Sequence, residues 1–212
     1  MRIYDVSVPL REGMATYAGT EPGPVLRYHS LMSDGQSANV SELSLGSHTG
    51  THVDSPHHFL DNGIGVDQMP VEHMVGPCYV AEFTGEGHIT VADLQRAGIP
   101  EGTTRLLAKT TNGRFCDDTK FHPEFVGFDD SAGDWLAERF VVVGIDYMSI
   151  ERFHSPTHAV HHALLSKGAV ILEGLDLRAA SPGEYFMVCA PINVVGADGA
   201  PARVYLMDEP PG

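Results

Sequence analysis

Residues 140–145 read FVVVGI. No polar side chain falls on either parity of this run, so the strand it predicts is covered on both faces, as strands are in the parallel part of an α/β sheet. Further strand-like runs, rich in β-branched and aromatic residues, lie at 2–8, 25–32, 39–45, 78–84, 104–110, 169–175, 184–190 and 203–207. Helices are predicted at 91–97, capped by Thr90; at 131–139, capped by Asp130; and at 156–167, where Ser155 caps and Pro156 takes the first turn. Gly98 and Gly168 supply the stops. The order, β-rich first and mixed later, predicts an α/β fold with a mixed sheet. The Gly/Pro-rich patches at 18–24, 61–65 and 196–201 have the length of loops, so residues 1–212 are expected to form one domain.

Composition narrows the partners. Hydrophobic residues make up 42% and charged residues 19%, enough to build a core. The formal charge of −15, from 28 acidic against 13 basic residues, repels phosphate backbones and anionic head groups, so neither nucleic acid nor a membrane surface is an expected partner. No run approaches the roughly 18 apolar residues of a membrane span. Residues 1–10, MRIYDVSVPL, lack the apolar stretch of a signal peptide. Cys78, Cys116 and Cys189 are far apart and form no CxxC pair, which suits a reducing, cytoplasmic location and suggests neither a disulfide framework nor a thiolate metal site.

The chemistry concentrates in residues 47–59, SHTGTHVDSPHHF. Imidazole nitrogen and carboxylate oxygen are the donors preferred by divalent zinc, manganese and iron. In a helix His48, His52, Asp54 and His58 would scatter around the axis, and Gly50 and Pro56 would weaken it. In an unbroken strand the four share one parity, yet His48 and His52 would stand about 13 Å apart at roughly 3.3 Å per residue, too far to share an ion. The chain must therefore bend, most easily at Gly50, and Pro56 stiffens a second turn that brings His58 back. The expected result is a metal-bearing loop on a sheet edge, projecting from a rigid strand at 39–45. His57 points away from the shared face and is read as structural.

A second cluster follows at 154–176, HSPTHAVHHALLSKGAVILEGLD. Alternation in the strand 169–175 puts Glu173 on the face of Ile171 and Leu175, directing a carboxylate toward an apolar interior, where an uncompensated charge would cost several kcal/mol. A cation removes that cost, and His161 on the preceding helix is near enough to share it. The bland alternative for Glu173 is a salt bridge to Arg178; His158 and His162 read as helix-surface residues. Asp146 and Ser149 are no less suited to structural roles than to functional ones.

Residues 48–58 match HxGTHxDxPxH at all seven fixed positions. This resembles the signature of the cyclase family of metal-dependent hydrolases, which includes bacterial kynurenine formamidase and isatin hydrolase. The segments 124–135 (EFVGFDDSAGDW), 143–149 (VGIDYMS) and the HHALL to ILEGL unit fall in the family's order. The resemblance implies a swivelling β/β/α-type α/β domain assembling into homodimers or homotetramers. It implies that His48, His52 and Asp54 bind a first divalent metal, zinc or manganese. Where a second is present, His161 and Glu173 would hold it with Asp54 bridging, so one or two ions per subunit are expected. The family's proton-transfer histidine falls on His58. One departure stands out: the formamidase branch carries a tryptophan and a proline before the glycine of its early substrate loop, where this chain has Tyr17 and Ala18. Tyr17 is accordingly a candidate substrate wall or a core aromatic.

The implied activity is arylformamidase-like hydrolysis of an amide, formamide or cyclic amide of a small, aromatic or non-aromatic, carboxylate-bearing metabolite, through metal-activated water and His58. No GxSxG elbow is present, and no cysteine has an evident catalytic partner. Lactone hydrolysis or ring closure on another metabolite, and a non-catalytic metal- or small-molecule-binding protein on the same scaffold, are the alternatives.

Overall fold

The computed structural model describes residues 1–210. Its central sheet has the order β1 (Ile3–Asp5), β10 (Gly199–Met207), β4 (His52–Asp54), β8 (Val170–Glu173), β7 (Val142–Ile145), β6 (Arg105–Thr110), β5 (Val75–Phe83) and β9 (Gly183–Pro191). Because β9 pairs with both β5 and β10, seven of these strands close into a mixed barrel, and β1 lies against β10 outside the closure. The neighbours β5, β6, β7 and β8 run parallel, and every other pairing in the sheet is antiparallel. The predicted α/β class and mixed sheet are what the chain adopts.

Helices cross the parallel strands on the outside. After the short α1 (Val71–Met74), α2 (Val91–Arg96) connects β5 to β6, α3 (Gly133–Ala137) lies between β6 and β7, and α4 (Ala159–Ser166) connects β7 to β8. The run 140–145 explains its own composition. Val142 faces the barrel interior with Leu107, Leu172 and Val204, while Val143 and Ile145 face the helices, packing among Leu94, Leu136 and Leu164. Alternate residues of one strand thus fill two cores, and no parity is left for water.

Local chemistry sets the helix boundaries. Thr90 caps α2 as predicted, in a reciprocal capping box with Asp93. The helix predicted over 131–139 is shorter: Asp129 rather than Asp130 caps a 3₁₀ turn at Asp130–Ala132, and the α-helix proper follows it. Asp130 is engaged by Arg152 instead, 2.9 Å from Oδ2 to Nη2. The helix predicted over 156–167 begins only at Ala159, because His158 at its N-terminus is left-handed, with φ 47. Ser155 does accept the His158 N–H at 3.2 Å, but as part of a turn ahead of the helix.

Two expectations about the region around residue 50 are corrected. The strand predicted at 39–45 exists as β3 (Val40–Ser44), yet it pairs only with β2 (Val25–Ser30) in a separate two-stranded sheet, exposed along its length, and is not the support of the histidine loop. The support is β4, whose three residues are buried between β10 and β8 in the interior of the main sheet, not on its edge. With polar residues at two of its three positions, β4 carries no strand-like hydrophobic signal. Among the described residues no helix is long and apolar enough to cross a membrane.

Candidate metal centre and active site

Strand β4 divides its side chains between the two layers. Val53 enters the barrel core, so His52 and Asp54 point outward, into the layer beneath α4. Antiparallel pairing sets His52 opposite Glu173 and Asp54 opposite Ile171 on β8. Glu173 therefore shares the face of Ile171, as predicted, but not that of Leu175. Gly174, at φ +67, interrupts the alternation, and Leu175 packs inside the barrel.

The bend ahead of β4 falls at Gly50, with φ +71. It carries His48 back over the strand, where Nδ1 lies 2.8 Å from Asp54 Oδ1, and the His48 and His52 ring centroids are 5.0 Å apart. Pro56 opens a 3₁₀ turn at Pro56–His58 that returns His58 to the cluster, its ring centroid 4.0 Å from that of His48. His57 faces solvent. From α4, His161 projects to 3.4 Å from Glu173 Oε1 and 3.8 Å from Asp54 Oδ2, and His52 Nε2 lies 3.4 Å from both Asp54 Oδ1 and Glu173 Oε2. All six predicted residues thus meet, four of them almost completely buried: His52, Asp54, His161 and Glu173.

These residues fit a divalent ion. Among the described residues His52 Nε2 and Asp54 Oδ2 have no hydrogen-bond partner. Leaving such groups unpaired costs about 1–3 kcal/mol each, a cost a shared cation removes. The set offers imidazole nitrogens and carboxylate oxygens and no thiolate, the donors of a borderline or hard metal. Further, His48, Asp54 and His58 present ligand atoms mutually within 4.8 Å, as do His52, Asp54 and Glu173.

The charges are mutually dependent. Burial works against protonated His52, but the carboxylates of Asp54 and Glu173, each 3.4 Å from Nε2, outweigh it and lift its pKa to about 10. His161 is raised to about 10 in the same way by Glu151 and Glu173. For Asp54, burial favours the neutral form and is overcome by His48 and His52, which hold the carboxyl well below its ordinary range. His58 moves the other way: burial lowers its pKa.

Three carboxylates that the motif reading passed over also belong here. Asp198, in the loop at 196–201, accepts from His48 Nε2 at 3.0 Å and lies 3.7 Å from His58 Nδ1. Glu151 is buried behind α4, accepting from His158 Nδ1 at 2.6 Å and from the Val160 N–H at 3.1 Å, with His161 Nδ1 at 3.0 Å. Glu21 lines the cleft above the cluster. Only their lone occurrence between loop residues was visible beforehand. His162 is exposed as expected, whereas half-exposed His158 also lines the cleft. The Arg178 alternative for Glu173 is excluded, since Arg178 pairs with Asp117 and Asp176. Asp146 serves the backbone, accepting from the Thr110 N–H and hydroxyl, and burial pushes its pKa to about 6.

The cleft has a cavity volume of about 210 Å³, with the histidine cluster as its floor and Tyr17, Phe59, Met148 and Ser149 among its walls. Tyr17 is both wall and packed aromatic, meeting Phe121 and Phe153 edge-on at 5.2 and 5.9 Å between ring centroids.

Comparison with known proteins agrees with this geometry. Residues 4–152 match the Cyclase family, described as "Putative cyclase". Cyclase-like protein 2 of Arabidopsis thaliana is 33% identical over 98% of this chain and 79% of its own. Kynurenine formamidase of Salinibacter ruber is 32% identical over 99% of both chains. A solved structure described as a potential metal-dependent hydrolase with cyclase activity superposes with a TM-score of 0.85 at 36% identity, covering 99% of each chain. By family match, full-length similarity and shared fold, the chain belongs to the cyclase family of metal-dependent hydrolases.

Proposed function

We propose that this hydrolase cleaves an amide, formamide or cyclic-amide bond of a small metabolite. Its divalent ion, zinc or manganese, would be held by His48, His52 and Asp54, with His161 and Glu173 completing that shell or holding a second ion. The observation that carries this reading is the convergence of unpaired His52 Nε2 and Asp54 Oδ2 with Glu173 and His161 at the floor of an open cleft. When bound, such an ion makes water acidic enough to ionise near neutral pH and polarises a carbonyl.

The chain's own groups do the rest. His58 is the proton shuttle: its lowered pKa leaves the imidazole neutral and receptive at neutral pH, and packing against His48 and Phe59 orients the ring. Tyr17 and Phe59 wall the substrate and exclude water from it. Full-length similarity to a protein named kynurenine formamidase favours the formamide, and the plant relatives named cyclase-like favour, as a second reading, lactone or ring chemistry.

The same reading includes assembly into a homodimer or homotetramer, supported by Leu26, Tyr28, Val40 and Leu43, all exposed on the β2–β3 hairpin, and a cytoplasmic location, supported by three free cysteines. The test is elemental analysis of purified protein followed by N-formylkynurenine, isatin and simple lactones, with and without chelator. Chelator-sensitive turnover of an amide is expected; no such turnover of any of them counts against the hydrolase, and turnover of lactones alone selects the second reading.

A further inference from the structure

The cleft is lined by Tyr17, Glu21, Phe59, Met148, Ser149 and His158 together with the histidine and glutamate donors of its floor. No lysine or arginine is among the lining residues. Glu21 is the carboxylate there that has no assigned role. It makes no side-chain hydrogen bond or ion pair among the described residues, and burial pushes its pKa above the ordinary range, against the opposing pull of His48 and His52. A half-buried carboxylate on a cleft wall that has no Lys or Arg beside it is an arrangement that a ligand cation completes.

Its backbone is held in place. Thr16 Oγ1 donates to the Glu21 carbonyl at 3.1 Å, and Thr49 Oγ1, next to His48, donates to the Pro22 carbonyl at 3.1 Å. The preceding turn, Tyr17–Gly19, places Ala18 at φ 51, a conformation uncommon for a residue with a side chain. Glu21 is thus tied to the same loop that carries the metal donors, which fixes its distance from the reacting centre.

We propose that Glu21 determines substrate specificity by accepting an ammonium group carried on the part of the substrate remote from the scissile amide, and that it disfavours substrates bearing a carboxylate there. This rests on the amidohydrolase reading and narrows it: the carboxylate-bearing substrate expected from the sequence finds no Lys or Arg partner in the lining, whereas an ammonium-bearing one finds Glu21.

The test compares the wild-type, metal-loaded protein with Glu21→Gln at pH 8 on formanilide, 4-(aminomethyl)formanilide and 4-formamidobenzoate. Because each substrate is compared between the two proteins, intrinsic reactivity cancels. Losing a charge-assisted contact should lower kcat/KM for the ammonium substrate about tenfold more than for formanilide, mainly through KM. The carboxylate substrate should improve. Equal effects on all three substrates, or loss of metal from Glu21→Gln by elemental analysis, would overturn the proposal. Calorimetric binding of benzylamine and benzyl alcohol keeps the two readings apart. If none of these formanilides nor any amide of the earlier panel is turned over, yet benzylamine binding weakens in Glu21→Gln and benzyl alcohol binding does not, the hydrolase reading fails and the ammonium site stands. If turnover is present and benzylamine binding does not change, the ammonium site fails alone.

Discussion

His161 Nδ1 stands 3.0 Å from Glu151 Oε1, and the opposite ring nitrogen, Nε2, stands 3.4 Å from Glu173 Oε1. A carboxylate behind a ligating histidine fixes its tautomer and its ring plane, and losing such a partner typically costs 10–100-fold in metal affinity. Glu151→Gln keeps an acceptor for the Val160 N–H, so the fold should persist. Metal affinity, measured by chelator competition, should fall about tenfold or more. His158→Ala, which removes the outer partner of Glu151 and none of the proposed metal donors, should leave it nearly unchanged. An unaltered affinity in Glu151→Gln would show that α4 packing alone positions His161.

The raised pKa values of His52 and His161, both about 10 against an ordinary 6.5, predict that metal-free protein at pH 7 carries both protons. An entering ion must displace them, so loading should release about two protons, readable by calorimetry in buffers of different ionisation enthalpy. Because both folded values lie above the unfolded one, their stabilisation is present in full below pH 6.5 and is lost as pH rises through about 10. The melting temperature of metal-free protein should therefore decline across that window, and its gap to the loaded protein should widen. Release of less than one proton would mean that the cluster is neutral before metal arrives.

His58 has a different signature because burial lowers its pKa. Its activity should rise with pH on a limb below 6.5 as the ring becomes able to accept a proton. Replacing it by alanine should reduce turnover about 10²–10⁴-fold with metal content unchanged. His57→Ala, in the solvent, should be silent. If both variants keep full activity, another group carries the proton and a purely binding role for His58 gains weight.

How far these residues could be read in advance follows from what each signal depends on. The bend at Gly50, the return of His58 after Pro56 and the inward turn of Glu173 depend on local backbone chemistry and period, and all three are present. Strand β4 was hidden because its pairing partners supply what its own three residues lack: β10 comes from the far end of the chain and β8 from more than a hundred residues away. Asp198, Glu151 and Glu21 were hidden for the same reason. Each is an isolated acid in a loop, and only tertiary closure brings it to an imidazole or a cavity. The late start of α4 was masked by a good cap sequence at Ser155, which tertiary contacts redirect into a turn ending at left-handed His158.

Gly174 is where fold and site are joined most tightly. It sits at φ +67 directly after Glu173, and a Cβ built on it would lie 2.2 Å from the Gly50 carbonyl oxygen, a backbone atom that cannot swing aside. That same carbonyl accepts from His52 Nδ1 at 2.9 Å. Gly174→Ala must therefore separate β8 from the histidine loop and disturb both Glu173 and His52. A left-handed alanine costs about 1–2 kcal/mol, and forcing packed backbone apart typically adds about 1–3 more. Gly168→Ala is the control: it too is left-handed, at φ +72, but a Cβ there meets nothing within 4 Å. In urea unfolding of metal-free protein, Gly174→Ala should lose clearly more stability than Gly168→Ala, and only the former should also weaken metal binding. Equal losses, with metal affinity preserved in both, would mean that the loop and strand adjust independently and that the contact between residues 50 and 174 does not set the geometry of the centre.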